Sequence, residues 1–461
     1  MKIKVQIIIE SETNDVPVVE EIACLQRDTL IPDTFGITLQ EGKDLLKNLQ
    51  KSMIISHAEE YIAQEKCCRK CGKELSLKGK NKISYRTLFG KLKITSPRFY
   101  TCACDSSKGK SFSPLAEKLP ERTSPELLYL QSKWSSLMSY GLTVDLLEEI
   151  LPLNTNIAST LLNTRKVAER IESELKDEQG MFIEGCEREW ENLPEPGEPI
   201  AVGIDGGYVY GRDDKNRKAG CFEVIVGKSM QEHGENKRFG FVNNYDEKPK
   251  RRLYEMLRSH GLQMNQQITF LSDGGDTVRD LQLYMSPNAE HILDWFHITM
   301  RITVMKQMVK GISKHEMLKE IEDDIESMKW HLWHGNVFRA LQLLDDIEDD
   351  LYCDNPNAKI QKLQKAVNEF HVYISNNRNF IPNYQDRYHY GECISTAFVE
   401  STVNEVISKR MRKKQQMRWT QKGAHLLLQV RTKTLNNELG ETFQRWYPEF
   451  QTGESLEKMA A

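Results

Sequence analysis

The sequence predicts a multidomain α+β chain in which an α/β core, carrying an all-α insertion, follows a cysteine-rich and helical region. Three observations lead there. The 461 residues exceed the roughly 100 to 200 of one domain. Five of the ten cysteines fall between Cys67 and Cys104. Beyond a proline-rich stretch, three short apolar segments precede alternating helical and strand-like ones. Hydrophobic residues at 39% and charged residues at 28% suit buried cores rather than disorder. No segment approaches the ~20 apolar residues of a membrane span, and Met1 to Glu10 lacks a basic start followed by an apolar block. A cytoplasmic location with no membrane partner is therefore expected, and clustered cysteines read as metal ligands before disulfides.

Residues 1–66 are expected to hold a strand over Lys2 to Ile9, from its β-branched alternation, and an amphipathic helix over Gln40 to Lys66, from the spacing of Leu45, Leu46, Leu49, Met53 and Ile54. Residues 67–115 form a zinc-ribbon-like domain. Cys68-Arg69-Lys70-Cys71-Gly72 has the gap of a zinc knuckle, and Cys102-Ala103-Cys104 follows about thirty residues later with a shorter gap. Cys68, Cys71, Cys102 and Cys104 are the expected zinc ligands, with Cys67 as a substitute for one of them and a disulfide or free thiols as the alternatives. Between the pairs, Ser84 to Tyr100 reads as two strands around Gly90. Residues 116–184 are helical, with candidates at Pro125 to Tyr140, Val144 to Leu151 and Asn156 to Glu174. The last two form either a helix-turn-helix or an ordinary helical pair.

Residues 185–199, with Pro194, Pro196 and Pro199 among acids, read as a linker. Residues 200–311 open the core: strands at Ile200 to Ile204, Phe222 to Val226 and Phe239 to Val242, a helix at Pro249 to His260, a strand at Ile268 to Leu271, a helix near Thr277 to Tyr284, strand Ile292-Leu293, and a helix from Phe296. That order is the order of a ribonuclease-H-like α/β fold. Residues 312–390, charged and without strand signals, form the all-α insertion, and residues 391–461 return to the core through helices at Thr396 to Met411 and Gln421 to Arg431.

Asp205 and Asp273 each end a strand and precede two glycines. Carboxylates at adjacent strand ends suit two divalent cations about 4 Å apart, the arrangement of two-metal phosphoryl transfer. Paired glycines let backbone and phosphate approach closely, although an Asp-Gly-Gly can also be a plain turn. A third carboxylate is expected from the Thr396 helix. Glu400 and Glu405 lie about 140° apart around it, so only one faces the metals. Asp294 and His297 sit at a strand-to-helix junction near the same place; His297 either contacts a scissile phosphate, orders a carboxylate, or is a structural histidine. Trp295 is either core or a platform for an extruded base.

The formal charge of −4 conceals segregation. Residues 400–433 carry nine lysines and arginines against two glutamates, whereas residues 319–350 carry ten acids against three bases. Residues 78–98 hold seven basic residues and no acid, interleaved with Tyr85 and Phe89. Lys78, Lys80 and Arg86 of that ribbon, and Lys409, Arg410, Arg412, Lys413, Lys414 and Arg418 near the C-terminus, are the candidate phosphate contacts.

These motifs together resemble the ISKra family of bacterial insertion-sequence transposases with an Asp-Asp-Glu triad. The resemblance covers most of the chain: Leu39-Gln40-Glu41-Gly42-Lys43-Asp44-Leu45-Leu46, both cysteine clusters, Arg86-Thr87-Leu88-Phe89-Gly90, Ser139-Tyr140-Gly141, Asp205-Gly206-Gly207, Phe222-Glu223-Val224-Ile225-Val226-Gly227, Asp273-Gly274, Glu400-Ser401, Lys409-Arg410-Met411 and Met417-Arg418-Trp419. Asp294-Trp295-Phe296-His297 is similar to a signature of the related Mutator-like transposases. The resemblance implies Asp205, Asp273 and Glu400 as the triad, two Mg²⁺ or Mn²⁺ ions, a structural Zn²⁺, and double-stranded DNA as partner, both transposon terminal inverted repeats and target. It also implies a nucleoid-associated homodimer or larger homo-oligomer. The alternatives are a catalytically silent, domesticated DNA-binding protein and another ribonuclease-H-like nuclease.

Overall fold

Alternating apolar residues place the N-terminus in strand β1 (Lys2–Ser11), paired antiparallel with a longer β2 (Asn14–Gln26). The computed structural model describes residues 1–11, 14–104, 110–212, 220–312, 316–352, 358–395, 397–412 and 417–452, without the side chains of Ser11, Asn14, Asp15, Asp276, Thr277, residues 316–318, Ala397 and Glu400. The chain divides into two units, residues 1–167 with 437–461, and residues 168–436.

In the first unit, helix α1 (Leu39–Gln64) starts at a capping box in which Thr38 accepts from the Glu41 N–H and Glu41 accepts from the Thr38 N–H. It packs beneath the ribbon of β3 (Leu77–Thr87), β4 (Gly90–Tyr100) and the short β5 (Ser111–Phe112). The ribbon turns at Gly90, whose φ of +126° favours glycine. Ala58, Ile83, Ile94 and Leu115 form one small buried cluster beneath it, and the buried Phe99 and Phe112 pack on each other between β4 and β5. Helices α2 (Pro114–Lys118), α3 (Pro125–Leu137), α4 (Tyr140–Ile150) and α5 (Ile157–Glu174) follow. Helix α4 begins four residues earlier than its apolar spacing suggests because the Ser139 hydroxyl caps it, accepting from the Leu142 N–H at 3.2 Å. The border between the units falls within α5.

In the second unit, the acidic proline-rich stretch contains a short helix, α6 (Glu187–Glu191). Strands β6 (Ile200–Tyr210), β7 (Cys221–Met230), β8 (Lys237–Val242), β9 (Ile268–Ser272) and β10 (Ala289–Leu293) form one mixed sheet in the order β10-β9-β6-β7-β8. The first three strands pair antiparallel, while β6, β9 and β10 are parallel. Helices α7 (Pro249–Ser259) and α8 (Asp276–Gln282) make the crossovers, and Leu253, Leu257, Val278 and Leu281 seal one face with Ile200, Val202 and Ile204.

Helix α9 (Trp295–Lys310) leads from β10 into α10 (Glu316–Trp333), α11 (Val337–Asp350), α12 (Ala358–Asn376) and α13 (Tyr384–His389). This helical layer is all-α as expected, yet it shares one core with the sheet: Leu271, Ile292 and Leu293 pack with Ile298, Ile325, Leu344, Val367 and Phe370. The buried Tyr384 hydroxyl also donates to the Leu293 carbonyl at 2.6 Å. Helix α14 (Ala397–Val403) returns to the sheet and widens into a π-helix over Asn404–Arg412. Helix α15 (Gln421–Leu435) packs on β8, whereas α16 (Leu439–Trp446), expected with the core, packs in the first unit on α3, where Phe443 and Tyr129 meet edge to face. Among the described residues, no helix is long and apolar enough to cross a membrane.

Candidate carboxylate site and cysteine cluster

Pairing between β6 and β9 runs from Ile200↔Ile268 to Gly203↔Leu271, and between β9 and β10 from Ala289↔Ile268 to Leu293↔Ser272. Carried one or two residues past the last pairs, this register sets Asp205, Asp273 and Asp294 in one row across three neighbouring strands. The Asp294 N–H, donating to the Ser272 carbonyl at 2.8 Å, extends the ladder to that row.

Asp205 does not end its strand: β6 continues through Gly206 and Gly207 to Tyr210, paired with β7 throughout, and only its pairing with β9 stops at Gly203. The glycines around Asp205 make room for protein, not for a turn. A Cβ on Gly203 would lie 2.0 Å from Val399, and one on Gly207 would lie 2.9 Å from Ile407 and 3.1 Å from Val403. Gly203, Asp205 and Gly207 share a face by strand alternation, so α14 and the π-helix lie flush against β6 on the side of the aspartate. Glu400 occupies the α14 position next to Val399; its side chain is outside the described residues. After Asp273 the turn does require glycine. Gly274 has φ +82°, a Cβ there would meet Asn377 Oδ1 at 2.5 Å, and Asp273 Oδ1 accepts from the Gly275 N–H at 3.0 Å.

Burial pushes the Asp205 carboxyl above its ordinary range; the Gly206 N–H and the field of His297 oppose this, and the charges of Asp273 and Asp294 add to it. Asp294 is fully buried and engaged on both oxygens, one accepting from the Phe296 N–H at 2.9 Å and the other from His297 Nδ1 at 2.7 Å. It thus caps α9 and orients the imidazole. Burial alone would lower the His297 pKa, but the Asp294 bond and the fields of Asp294, Asp205 and Asp273 raise it. That pairing fits both a histidine that orders a carboxylate and a structural one. Trp295 packs against Trp333 and Tyr384 at 5.0 and 4.8 Å, a core position and not a base platform.

Between the two candidate glutamates, Glu405 is already committed. It pairs with Arg238 on β8 at 2.8 Å, two strands away from Asp205. Glu405→Gln is expected to cost about 1 kcal/mol, as for a partly exposed pair. A shift of about 2–4 °C in the unfolding transition of the sheet unit would record it, and an unchanged transition would show the pair to be neutral.

The basic C-terminal segment proves to be heterogeneous. Lys409, Arg412 and Arg418 are exposed, and Lys413 and Lys414 lie outside the described residues. Arg410, expected at the surface, is fully buried with its guanidinium 5.1 Å from the Trp419 ring centroid. Arg431 is also buried and donates to the Val406 carbonyl at 2.8 Å, tying α15 to the π-helix. These two arginines hold the segment together from inside.

In the first unit, the sulfur atoms of Cys68, Cys71, Cys102 and Cys104 converge. Cys68 and Cys102 each lie 3.3 Å from Cys104, and Cys71 lies 3.6 Å from both Cys102 and Cys104. Tetrahedral zinc with bonds of about 2.3 Å separates its sulfurs by about 3.8 Å, so the cluster can hold one ion with a small expansion. Cys67 is not among the four; it forms a β-bridge with Glu74. The N–H groups of Cys71 and Lys70, then Cys104, bring the Cys68 thiol down to about 6, whereas its neighbours Cys102, Cys68 and Cys71 push Cys104 up to about 12. Four sulfur ligands converging at this spacing could hold one cation.

The outer face of the same ribbon carries Lys80, Lys82, Arg86, Lys91 and Lys93, while Ile83, Tyr85, Leu92 and Ile94 turn toward α1. Arg86 stands directly opposite Lys91. Like charges in cross-strand pairs are unfavourable, so this face suits an anionic partner. Lys78 is held aside, donating to Ser111 at 3.2 Å and lying over the Tyr100 ring.

A group that periodicity does not reveal is Glu172, Asp246 and His425, gathered from α5, the β8–α7 loop and α15. Its cation is Arg252, which contacts Asp246 at 2.5 Å, Glu172 at 2.6 Å and His425 at 3.1 Å. With the guanidinium in place, the group is a buried ion network and needs no metal.

No protein-family model and no curated protein matches the chain.

Proposed function

We propose that this chain is a Mg²⁺-dependent DNA transposase of the Asp-Asp-Glu kind, with a ribonuclease-H-like core. The observation that carries the proposal is the row of Asp205 and Asp273 on adjacent parallel strands, with α14, the helix that contains position 400, packed along the same strand face. The strand order, three antiparallel then two parallel, supports that fold. Hard carboxylate oxygens beside one another, one of them with a raised pKa, suit a small divalent cation and disfavour an empty site. Asp205, Asp273 and Glu400 would hold the ions. Bound there, two Mg²⁺ ions supply activation of the attacking oxygen and stabilisation of the leaving one.

The protein's own part is positioning. His297 and Asp294 hold the floor of the site rigid. The ribbon face of Lys80, Lys82, Arg86, Lys91 and Lys93, together with Lys409, Arg412 and Arg418, neutralises phosphates of the bound duplex. In the first step water displaces the 3′-oxygen at the element's end; in the second the freed 3′-hydroxyl attacks target DNA in line, with no covalent protein intermediate. Two ends held together call for at least two copies of the chain.

The test compares cleavage of duplex DNA carrying the sequences that flank the gene with cleavage of an RNA–DNA hybrid of equal length. Preferential, Mg²⁺-dependent nicking of the duplex at the element boundary, lost in Glu400→Gln and kept in Glu405→Gln, is expected. Preference for the hybrid would mark a ribonuclease-H-like nuclease, and binding without cleavage a domesticated DNA-binding protein.

A further inference from the structure

Two residues of the helical layer that neither the triad nor the basic segments include meet beside the helix that Asp294 caps. Arg301 lies four residues after His297 on α9, hence one turn further along the same helix face. Its guanidinium stacks on the ring of Tyr373, from α12, at 4.1 Å from the centroid. Arg301 is exposed and pairs with no acid among the described residues. The Tyr373 hydroxyl is buried and has no hydrogen-bond partner among the described residues. Burial raises its pKa; Arg301 opposes this, and the fields of Asp273 and Asp294 add to it. Tyr373 therefore stands within electrostatic reach of Arg301 on one side and of the carboxylate row on the other.

Leaving a buried hydroxyl unsatisfied is unfavourable, and an arginine held flat on an aromatic ring is pre-organised for two parallel bonds to a phosphate. Asn377, directly after α12 and four residues from Tyr373, lies close against the Gly274 turn, where an added Cβ would meet its Oδ1 at 2.5 Å, so the C-terminal end of α12 abuts the Asp273 turn.

We propose that Arg301 and Tyr373 form a phosphate-binding subsite for the DNA strand at the carboxylate row, Arg301 donating to the non-bridging oxygens and Tyr373 donating its hydroxyl to the same group. The inserted helices thereby take part in substrate positioning. This rests on the transposase assignment above.

The experiment uses the full chain and a fluorescent duplex carrying the gene's flanking sequence. Binding is followed in Ca²⁺ and strand cleavage in Mg²⁺, with Asp205→Asn in parallel. Arg301→Ala is expected to lower the cleavage rate about a hundredfold and to reduce the salt slope of binding by about one, with Arg301→Lys recovering the slope but only part of the rate. Tyr373→Phe keeps the ring under Arg301; it is expected to lower the rate about tenfold while its unfolding temperature stays level or rises, since it removes an unsatisfied buried group. Wild-type rates and salt slope in both variants, with Asp205→Asn inactive, would overturn the subsite and leave the transposase assignment standing. An inactive wild-type protein would instead overturn that assignment, and the Ca²⁺ salt slopes would then decide the subsite alone: a slope unchanged in Arg301→Ala overturns it.

Discussion

If the four-cysteine cluster holds zinc, as its sulfur spacing allows, stripping the metal is expected to unfold the ribbon. Among the described residues the ribbon is held by one small cluster, Ala58, Ile83, Ile94 and Leu115, and by the Phe99–Phe112 pair, little for three strands, and the outer half of β3 is exposed from Leu77 through Lys82. A structural zinc contributes about 10–16 kcal/mol at neutral pH, which exceeds what so small a core supplies. Cys68→Ser should abolish binding of one zinc per chain by elemental analysis and remove the strand signal of the ribbon in hydrogen exchange, while the sheet unit keeps its protection. Cys67→Ser should retain the metal. Full protection of β3 and β4 after zinc removal would show that the cysteines are merely neighbours.

A second large effect is expected from the aspartates. Asp205→Asn and Asp273→Asn should each reduce strand cleavage by at least about a thousandfold, the scale at which a residue acting as part of a unit is lost, and leave duplex affinity in Ca²⁺ nearly unchanged. Asp205→Asn should also stabilise the metal-free protein. The Asp205 carboxyl is raised in the fold, so its contribution is favourable below the unfolded value of about 3.9 and is lost as pH rises through the folded value. His297 is raised too; its contribution is present below about 6.5 and lost as pH rises through its folded value. In EDTA, then, the wild-type unfolding temperature should fall as pH is raised from about 6 to about 8, the Asn variant should melt higher at neutral pH, and Mg²⁺ should stabilise the wild type alone. A variant that melts lower in EDTA would contradict this electrostatic account.

Much of the carboxylate site was legible because strand ends and their polar punctuation are local features: Asp273 follows Phe270-Leu271-Ser272 and is halted by a glycine that needs a positive φ. The continuation of β6 beyond Asp205 was not. A Gly-Gly pair ordinarily ends a strand, and only the close approach of Val399 and Ile407 explains why it does not here. The choice of Cys68 over Cys67 depends on a knuckle whose backbone bonds, Cys68 N–H to Lys73 and Gly72 N–H to Cys68, both at 2.8 Å, no spacing rule specifies. Arg410 misled for the opposite reason: in a run of lysines and arginines every member reads as solvated, and its burial under Trp419 is a tertiary event. Tyr373 stands one hundred residues from Asp273 in sequence, and periodicity cannot bring such distant residues together. The same distance hid the assignment of α16 to the first unit.

A nicking assay tests whether the carboxylate row cuts DNA. Purified protein incubated with a supercoiled plasmid carrying its gene and native flanking DNA should, in Mg²⁺, produce nicks that map to the element boundary and end in a 3′-hydroxyl, with no product in EDTA. Boundary nicking that persists at the wild-type rate in Asp205→Asn, or a plasmid that stays intact in both Mg²⁺ and Mn²⁺ although the protein binds it, would contradict that role of the row.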